Sequence, residues 1–287
     1  MAEAKGRRTP RVTTAEVVRT ERVTPHMIRV VLGGDGLADF ECASTNGGDC
    51  TDNYLKLQFP AAGVTYPEPF DLARIREEYP REQWPVTRTY TVRKWDKAAR
   101  EISIDFVYHG DEGVAGPWAA NVQPGELVRF AGPGGAYAPA HDADWHLLAG
   151  DESALPAISA AVERLAPGAR AHVFLEVEGP DEEQQFKSAA DLHVTWLHRG
   201  GARVGERLVA AVRAFEFPAG DVHAFVHGEA GFVRDLRRLL RFEHDVPKER
   251  MSVSGYWRLG HDEDGWQSSK TEWRKVDDED EARAAAR

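Results

Sequence analysis

The chain has 287 residues, long enough for two domains with cores of their own, and 42% of its residues are hydrophobic, which excludes wholesale disorder. Its formal net charge of −11 comes without a basic domain, which argues against a nucleic-acid partner. No apolar run reaches the roughly 18 residues of a membrane span, and the N-terminus lacks the apolar segment of a secretory signal, so we expect a cytoplasmic protein.

From about residue 10 to residue 138 the pattern is one of short strands and turns. β-branched or aromatic residues alternate with other residues, and clusters of Gly, Pro, Asn and Asp separate the segments. The six predicted strands are RVTTAEVVRTERVT, MIRVVLGG, NYLKLQFP, TRTYTVRKW, EISIDFVYHG and ELVRFAGP. One helix is predicted over 113–121. Six strands at this spacing predict a closed antiparallel β-barrel.

After residue 138 the pattern changes to alternating strands and helices. The predicted strands are WHLLAG, RAHVFLEV, LHVTWLH, DVHAFVHG and RMSVSGYWR, and the predicted helices are DESALPAISAAVERLA, GERLVAAVRAF and EAGFVRDLRRLLRF. Near-continuous apolar strands that alternate with helices predict an α/β domain with a parallel sheet. We therefore divide the chain into a barrel domain over 1–140, an α/β domain over 141–260, and an acidic C-terminal tail over 261–287. The tail is expected to cover the substrate pocket, and its last residues, DDEDEARAAAR, to be solvated or frayed.

Two cysteines, Cys42 and Cys50, lie in a Gly/Asn/Thr-rich stretch and are predicted to be free thiols in a mobile surface loop. Two thiols cannot form a four-cysteine zinc site or an all-cysteine iron–sulfur cluster. The eleven histidines are scattered, and no metal site is predicted. Any redox chemistry would therefore use an organic cofactor.

The segment RTYTVR, residues 88–93, is an unusual strand. Its alternation places Arg88, Tyr90 and Val92 on one face, with Thr89, Thr91 and Arg93 on the other. Taken alone, the segment could equally be an ordinary barrel strand with a surface arginine and a packed tyrosine. It also resembles the Arg-x-Tyr-Ser/Thr flavin motif of the ferredoxin-reductase-like flavoenzymes.

The resemblance extends over nearly the whole chain. Further stretches that are similar follow in the expected order: DFVYHGDEGVAGPWAA, AGPGG, AGDESALPAI, HGEAG and SGYWRLG. Together they resemble the siderophore-interacting proteins, which are bacterial FAD-containing ferric-siderophore reductases. The resemblance implies an FAD-binding barrel followed by an NAD(P)H-binding α/β domain of the ferredoxin-reductase-like fold.

Several barrel residues are assigned to FAD on this basis. Tyr90 offers an aromatic face to the flavin and Thr91 a hydrogen bond near its redox-active edge, and we predict these two as the catalytic residues. Arg88 would hold the pyrophosphate. The helix start after HGDEG would expose N–H groups to an anion. Further residues are assigned to FAD by the same resemblance: Thr89, Asp105 and His109 (the last two to ribose or phosphate oxygens), Val107, Ala115, Gly116, Ala119 and Trp118 (stacking on adenine, or alternatively packing in the core).

The α/β half is assigned to the nicotinamide nucleotide with alternatives open. The first turn lacks the G-x-G-x-x-G fingerprint, so it is either an ordinary turn with a helix-capping acid or, as the resemblance implies, the border of the nicotinamide site. The residues assigned there are Gly150, Asp151, Glu152, Gly228 and Glu229. The choice of donor also stays open. Glu176 and Glu178 favour NADH, whereas Arg199 and Arg203 suit the extra phosphate of NADPH.

The combined hypothesis is a ferric-siderophore reductase, predicted to be a monomer, that uses FAD and either NADH or NADPH. Four cations are predicted to bind an anionic ferric siderophore, or else to be ordinary surface charges: Lys56, Arg258, Lys270 and Arg274. Two alternatives stay open: a flavoenzyme of the same fold that reduces a protein partner or free flavin, and a siderophore-binding protein without redox turnover.

Overall fold

The computed structural model describes residues 12–45, 48–261 and 263–285. The chain forms two compact units. Met1–Ala43 and Asn53–Gly135 make up the barrel unit, and Ser44–Asp52 and Ala136–Arg287 make up the α/β unit. A short stretch from within the barrel sequence thus belongs to the α/β unit.

The barrel unit is a closed six-stranded antiparallel barrel, as predicted, with the strand order β1-β2-β7-β6-β5-β8. In chain order its elements are β1 (Val12–Thr24), β2 (Met27–Gly33), β5 (Tyr54–Phe59), α1 (Leu72–Glu78), β6 (Val86–Asp96), β7 (Glu101–Val107), α2 (Ala115–Asn121) and β8 (Leu127–Gly134); β3 (Ser44–Thr45) and β4 (Gly48–Asp49) form a small ribbon in the other unit. Alternation builds the core: Leu55 and Leu57 are fully buried, while Tyr54 and Lys56 are exposed.

Helix α1 was not predicted from the sequence. It lies in the long connection between β5 and β6, and its N-cap is Asp71, whose carboxylate accepts hydrogen bonds from the backbone N–H groups of Ala73 and Arg74. Leu72 and Ile75 are buried. Two apolar anchors in a seven-residue helix are too few to show the 3.6-residue period on which the prediction relied.

The α/β unit contains a five-stranded parallel sheet with the order β11-β10-β9-β12-β13, which confirms the predicted architecture. Its remaining elements are β9 (Trp145–Gly150), α3 (Leu155–Arg164), β10 (Arg170–Val177), β11 (Asp191–His198), α4 (Glu206–Ala214), β12 (Val222–Glu229), α5 (Ala230–Arg238), β13 (Met251–Trp257) and α6 (Glu263–Ala285). Strands β9 and β12 are buried along their entire length, which explains their continuous apolar runs.

The predicted C-terminal tail contains a helix. Two tryptophans in α6, Trp266 and Trp273, are seven residues apart and therefore share one helix face. The Trp266 side chain is buried and its Nε1–H donates to the carbonyl of Gly255, while Arg234 lies over the Trp273 ring. No helix was predicted here, and these two aromatic anchors give α6 a packed face ahead of the acidic stretch that was predicted to be solvated or frayed.

The cysteine-containing segment is a surface loop, as predicted, only in its first part, and its end is buried. Cys42 and Cys50 are not joined in a disulfide, and Cys50, Thr51 and Asp52 are buried. The Thr51 N–H donates to the carbonyl of Tyr137 over 2.8 Å, and Asp52 Oδ1 accepts the N–H groups of Ala136 and Tyr137 at 2.9 Å each. These hydrogen bonds attach the segment to the start of the α/β unit. The Gly, Asn and Thr content of the stretch gave no indication of them.

Candidate functional site

Strand β6 carries the flavin-like motif in the wall of the barrel. Tyr90 packs against the barrel core, with its ring centroid 4.3 Å from that of Phe106, and it remains partly exposed. Arg88 is half-buried and its Nη1 donates to the carbonyl of Thr87 over 2.8 Å. Thr91 is buried. An aromatic ring backed by a rigid core can act as a fixed stacking platform.

The connection from β7 into α2 is the second predicted cofactor stretch. Gly113 has a φ of 80° and a Cβ there would meet no atom within 4 Å, so this backbone is open to an approaching group. His109 is exposed, and no side chain caps α2. Trp118 packs on the core, 5.3 Å from Phe59 and 5.4 Å from Phe106 between ring centroids, and is half-buried. Core packing therefore accounts for part of the Trp118 surface.

The remaining residues assigned to FAD differ in how far they are exposed. Thr89 is exposed on β6, and Val107 and Gly116 are half-buried. Ala115 and Ala119 are buried in the barrel core, so only their backbone could face a cofactor.

Asp105 differs from its predicted role. Its side chain is buried, and its two carboxylate oxygens accept hydrogen bonds from Nε and Nη2 of Arg29 over 2.6 and 2.8 Å. This bidentate pair joins β7 to the neighbouring strand β2, where Arg29 and Asp105 are register partners. Because both oxygens hold Arg29, we leave Asp105 out of the cofactor site proposed below.

Lys56 lies beside the flavin-like strand. It is exposed on β5, and its register partners are Thr89 on β6 and Ala131 on β8. The barrel thus places a cation predicted to bind the substrate next to a threonine assigned to the cofactor.

In the α/β unit, Asp151 links the carboxyl ends of three strands. It is fully buried just after β9. Its Oδ2 accepts the backbone N–H of Glu229 over 2.9 Å and the indole N–H of Trp257 over 2.8 Å. Burial raises the pKa of the Asp151 carboxyl, although these hydrogen bonds act to lower it. Trp257, which the sequence analysis quoted without assigning a role, is thereby held at the end of β13.

Gly228 and Glu229 shape the same edge of the sheet. Gly228 has a φ of 137°, and a Cβ there would lie 2.8 Å from the carboxyl carbon of Asp151, so a larger residue would not fit. Glu229 is the N-cap of α5: its carboxylate accepts the N–H groups of Gly231 and Phe232. Gly150 pairs with His227, the residue before Gly228. The structure thus brings together Gly150, Asp151, Gly228 and Glu229.

Glu152 and three residues from the ends of β10 and β11 form a second cluster at this edge, which we call the Arg199 cluster: Glu152, Glu176, Glu178 and Arg199. Arg199 donates to all three carboxylates, over 2.6, 3.2 and 2.9 Å in that order. Burial, and then the Asp151 charge, raise the pKa of Glu152 against the opposing effect of Arg199. Arg203, by contrast, is exposed.

Glu176 has a structural role in the Arg199 cluster. It is fully buried and also accepts the backbone N–H groups of Gly205 and Leu208 over 2.8 and 3.3 Å. Glu176 therefore stabilises the start of α4, and of the two glutamates suggested for ribose recognition only Glu178 keeps exposed surface.

The other predicted substrate cations lie in the α/β unit. Arg258 is exposed immediately after β13. Lys270, on α6, lines a cavity of about 310 Å³ against β13, together with Trp266, and its ammonium lies 5.5 Å from the Trp266 ring centroid. Arg274 is in the same helix, but its side chain is outside the described residues.

The described part of the chain has neither grouped metal ligands nor a helix suited to spanning a membrane. No group of three or more His, Cys, Asp and Glu side chains among these residues is arranged to hold a metal ion. Within the same ranges, no helix combines the length and apolar character needed to cross a membrane.

Comparison with protein families gives two matches that together cover most of the chain. Residues 16–137 match the siderophore-interacting FAD-binding domain, and residues 143–260 match the siderophore-interacting protein family. The first range contains β6 and its flavin-like motif, and the second contains the whole parallel sheet.

Individual relatives agree with these matches. The chain is 33% identical to ferric vibriobactin reductase ViuB of Vibrio cholerae, over 89% of this chain and 92% of the relative. It is 30% identical to the NADPH-dependent ferric-chelate reductase of Escherichia coli, over 84% and 91%. Among solved structures, a siderophore utilization protein from T. fusca superposes with a TM-score of 0.75 at 36% identity, over 88% and 94% of the two chains.

Proposed function

Because this chain belongs to the siderophore-interacting protein family, we propose that it is an FAD-dependent reductase that uses NAD(P)H to reduce ferric siderophores. The observation that carries the proposal is the β6 strand: Arg88 and Tyr90 lie on one face of it, inside the FAD-binding family match. The cytoplasmic location and monomeric state expected from the sequence stay predictions.

The residues of the barrel fit a flavin dinucleotide. Tyr90 is backed by Phe106 and presents a ring of fixed orientation. Arg88 on the same strand face supplies a guanidinium suited to a pyrophosphate. The open backbone at Gly113 and the uncapped start of α2 leave room for a phosphate or ribose. These features support FAD without requiring Asp105.

The proposed reaction requires binding and orientation more than acid–base chemistry. When bound, FAD supplies the ability to accept a hydride and to release electrons one at a time. Tyr90 would orient the ring, Thr91 would hydrogen-bond near its edge, and Arg88 would neutralise phosphate charge. Siderophores bind iron through hard oxygen ligands that prefer Fe(III), so reduction weakens the chelate and releases Fe(II).

The absorption spectrum of the purified protein tests this function. We expect a flavin spectrum that NADH or NADPH bleaches under anaerobic conditions and that a ferric siderophore restores, with formation of Fe(II). Flavin that no nicotinamide bleaches would favour a binding protein without redox turnover. Rapid reduction of ferredoxin, cytochrome or free flavin but not of ferric chelates would favour the alternative class of flavoenzyme.

Lys56 and Arg258 are expected to contribute to binding of an anionic ferric siderophore. In the double variant Lys56→Gln/Arg258→Gln the KM for such a chelate should rise, and rise more at low salt than at high salt, because mobile ions already screen the attraction at high salt. Flavin bleaching by NAD(P)H should change little. Steady-state kinetics at two ionic strengths provide the measurement.

Lys97→Gln/Lys187→Gln is the matched control, since it also removes one exposed cation from each unit. An unaltered KM in the double variant at low ionic strength would refute the role of these two cations. A rise of the same size in the control would assign the effect to net charge alone.

Cys42 and Cys50 are expected to be dispensable for turnover. Burial raises the pKa of the Cys50 thiol, with smaller contributions from Asp52 and Asp49, and a protonated thiol is a poor nucleophile. The Cys42→Ser/Cys50→Ser variant should keep FAD and ferric-chelate reduction while losing about 1 kcal/mol or more of stability from the buried hydroxyl. Loss of turnover with FAD retained would reveal a redox role, and the single Cys42→Ser variant separates the two positions.

A further inference from the structure

We propose that NADH, rather than NADPH, is the electron donor of this chain, and that the Arg199 cluster excludes the 2′-phosphate of NADPH. The inference rests on the proposed function, because it concerns the nucleotide that would bind at the carboxyl end of the parallel sheet. It also separates this chain from the Escherichia coli relative, whose name specifies NADPH.

Arg199 is already bonded to three carboxylates. Arg199 follows the end of β11, and its guanidinium is the kind of group that binds a 2′-phosphate. Each of its three nitrogens, however, already donates to a different carboxylate: Nη2 to Glu152, Nε to Glu176 and Nη1 to Glu178. Only 12% of the Arg199 side chain is exposed. One N–H on each Nη is left over, but with three carboxylates around so little exposed surface Arg199 offers a 2′-phosphate little access.

The local charge also opposes a 2′-phosphate. Three carboxylates surround one guanidinium, so the Arg199 cluster has an excess of acidic groups at the edge of the sheet. Glu178, with 54% of its side chain exposed, lies just beyond the end of β10, where a carboxylate in this type of fold receives the ribose hydroxyls of NADH. A 2′-phosphate in the same place would meet the negative charge of Glu178 and lose its own hydration.

Two other cations follow the Arg199 cluster in the chain. Arg203 and Arg207 are exposed in the connection from β11 into α4 and at the start of that helix. A 2′-phosphate bound by these two side chains would bypass Arg199. Their variants therefore belong in the test.

The test compares equilibrium binding with flavin reduction. Calorimetric titration with ADP-ribose and with 2′-phospho-ADP-ribose isolates the 2′-phosphate and does not depend on the flavin. Anaerobic stopped-flow bleaching with NADH and with NADPH measures the reaction. We expect the unphosphorylated member of each pair to be favoured by about tenfold or more.

Glu178→Gln should lower the KM for NADPH, because it removes the repelling charge, and raise the KM for NADH, because it weakens the acceptor for the ribose hydroxyls, so that the preference for NADH narrows. Glu216→Gln, which removes an exposed acid elsewhere in the unit, is the matched control and should keep the wild-type preference. An unchanged preference in Glu178→Gln would overturn the assignment to the Arg199 cluster. The whole inference would be overturned if the wild type bound each phosphorylated ligand as tightly as its unphosphorylated counterpart, or more tightly, and Arg203→Gln/Arg207→Gln lost that binding.

The two proposals fail in different ways. If neither nicotinamide nucleotide bleaches the flavin, the proposed function is refuted, while the calorimetric comparison still decides the preference of the site. If NADPH bleaches the flavin faster than NADH at equal concentration, the proposed function stands and the NADH inference is overturned.

Discussion

Replacing Arg88 with Ala is expected to weaken FAD binding by about 10- to 150-fold, because a charge-assisted hydrogen bond to a phosphate contributes roughly 1.5–3 kcal/mol. Arg88 is half-buried on the strand that carries Tyr90, so its charge would act where water screens it only partly. The variant should purify with much of its flavin missing. Titration of the stripped protein with FAD, followed by flavin fluorescence, gives the change in Kd.

Lys94→Ala is the matched control for this experiment. Lys94 is on the same strand and also loses one positive charge, but it is exposed and its Nζ lies 3.4 Å from the carboxylate of Asp96. The control should bind FAD as the wild type does. Full FAD occupancy and unchanged Kd in Arg88→Ala would remove Arg88 from the pyrophosphate site, whereas equal losses in both variants would point to a general charge effect.

Replacing Arg199 with Met is expected to lower the free energy of unfolding by about 3–5 kcal/mol, which is typical when one partner of a buried ion pair is removed. The substitution keeps much of the side-chain volume but leaves Glu152 and Glu176 buried without their cation. Urea unfolding of the full chain measures the loss. Arg203→Met, at an exposed position in the same loop, should change stability by less than about 0.5 kcal/mol.

The loss in Arg199→Met should also depend on pH. Burial already raises the pKa of Glu152 in the folded chain, and removing Arg199 takes away a charge that lowers it. A carboxyl whose pKa is raised on folding stabilises the fold only while it is protonated, so its contribution is lost as pH rises through the folded pKa. The variant should therefore be more destabilised at pH 8 than at pH 5.5. The same loss at both pH values would show that Glu152 is not the residue left unpaired.

The sequence was most informative where a single periodicity decides the structure. The alternation along NYLKLQFP correctly predicted a barrel strand, in which Leu55 and Leu57 are buried and Lys56 is exposed. Continuous apolar runs correctly predicted the central parallel strands β9 and β12. In both cases the pattern lies within a single strand. Alternation reflects burial of one face of the strand, and a continuous apolar run reflects burial of both faces.

The sequence was least informative where a side chain acts through a distant partner. Arg29 and Asp105 are 76 residues apart, and their pairing depends on the register of β2 against β7. Arg199 contacts Glu152, 47 residues away, through the parallel order of the sheet. Residue type alone therefore suggested cofactor ligands at Asp105 and Arg199, whereas tertiary structure supplies protein partners for both.

The assignment of Ser44–Asp52 to the α/β unit bears on how this protein can be dissected and how it is synthesised. A gene fragment that begins at residue 136 would lack Thr51 and Asp52, and so would lose the acceptor for the N–H groups of Ala136 and Tyr137. A chimera that takes its barrel sequence from a relative would also take residues 44–52 from that relative, although these residues belong to the α/β unit. During translation, residues 44–52 leave the ribosome more than eighty residues before Ala136, so they cannot reach their final partners until that later stretch has been made.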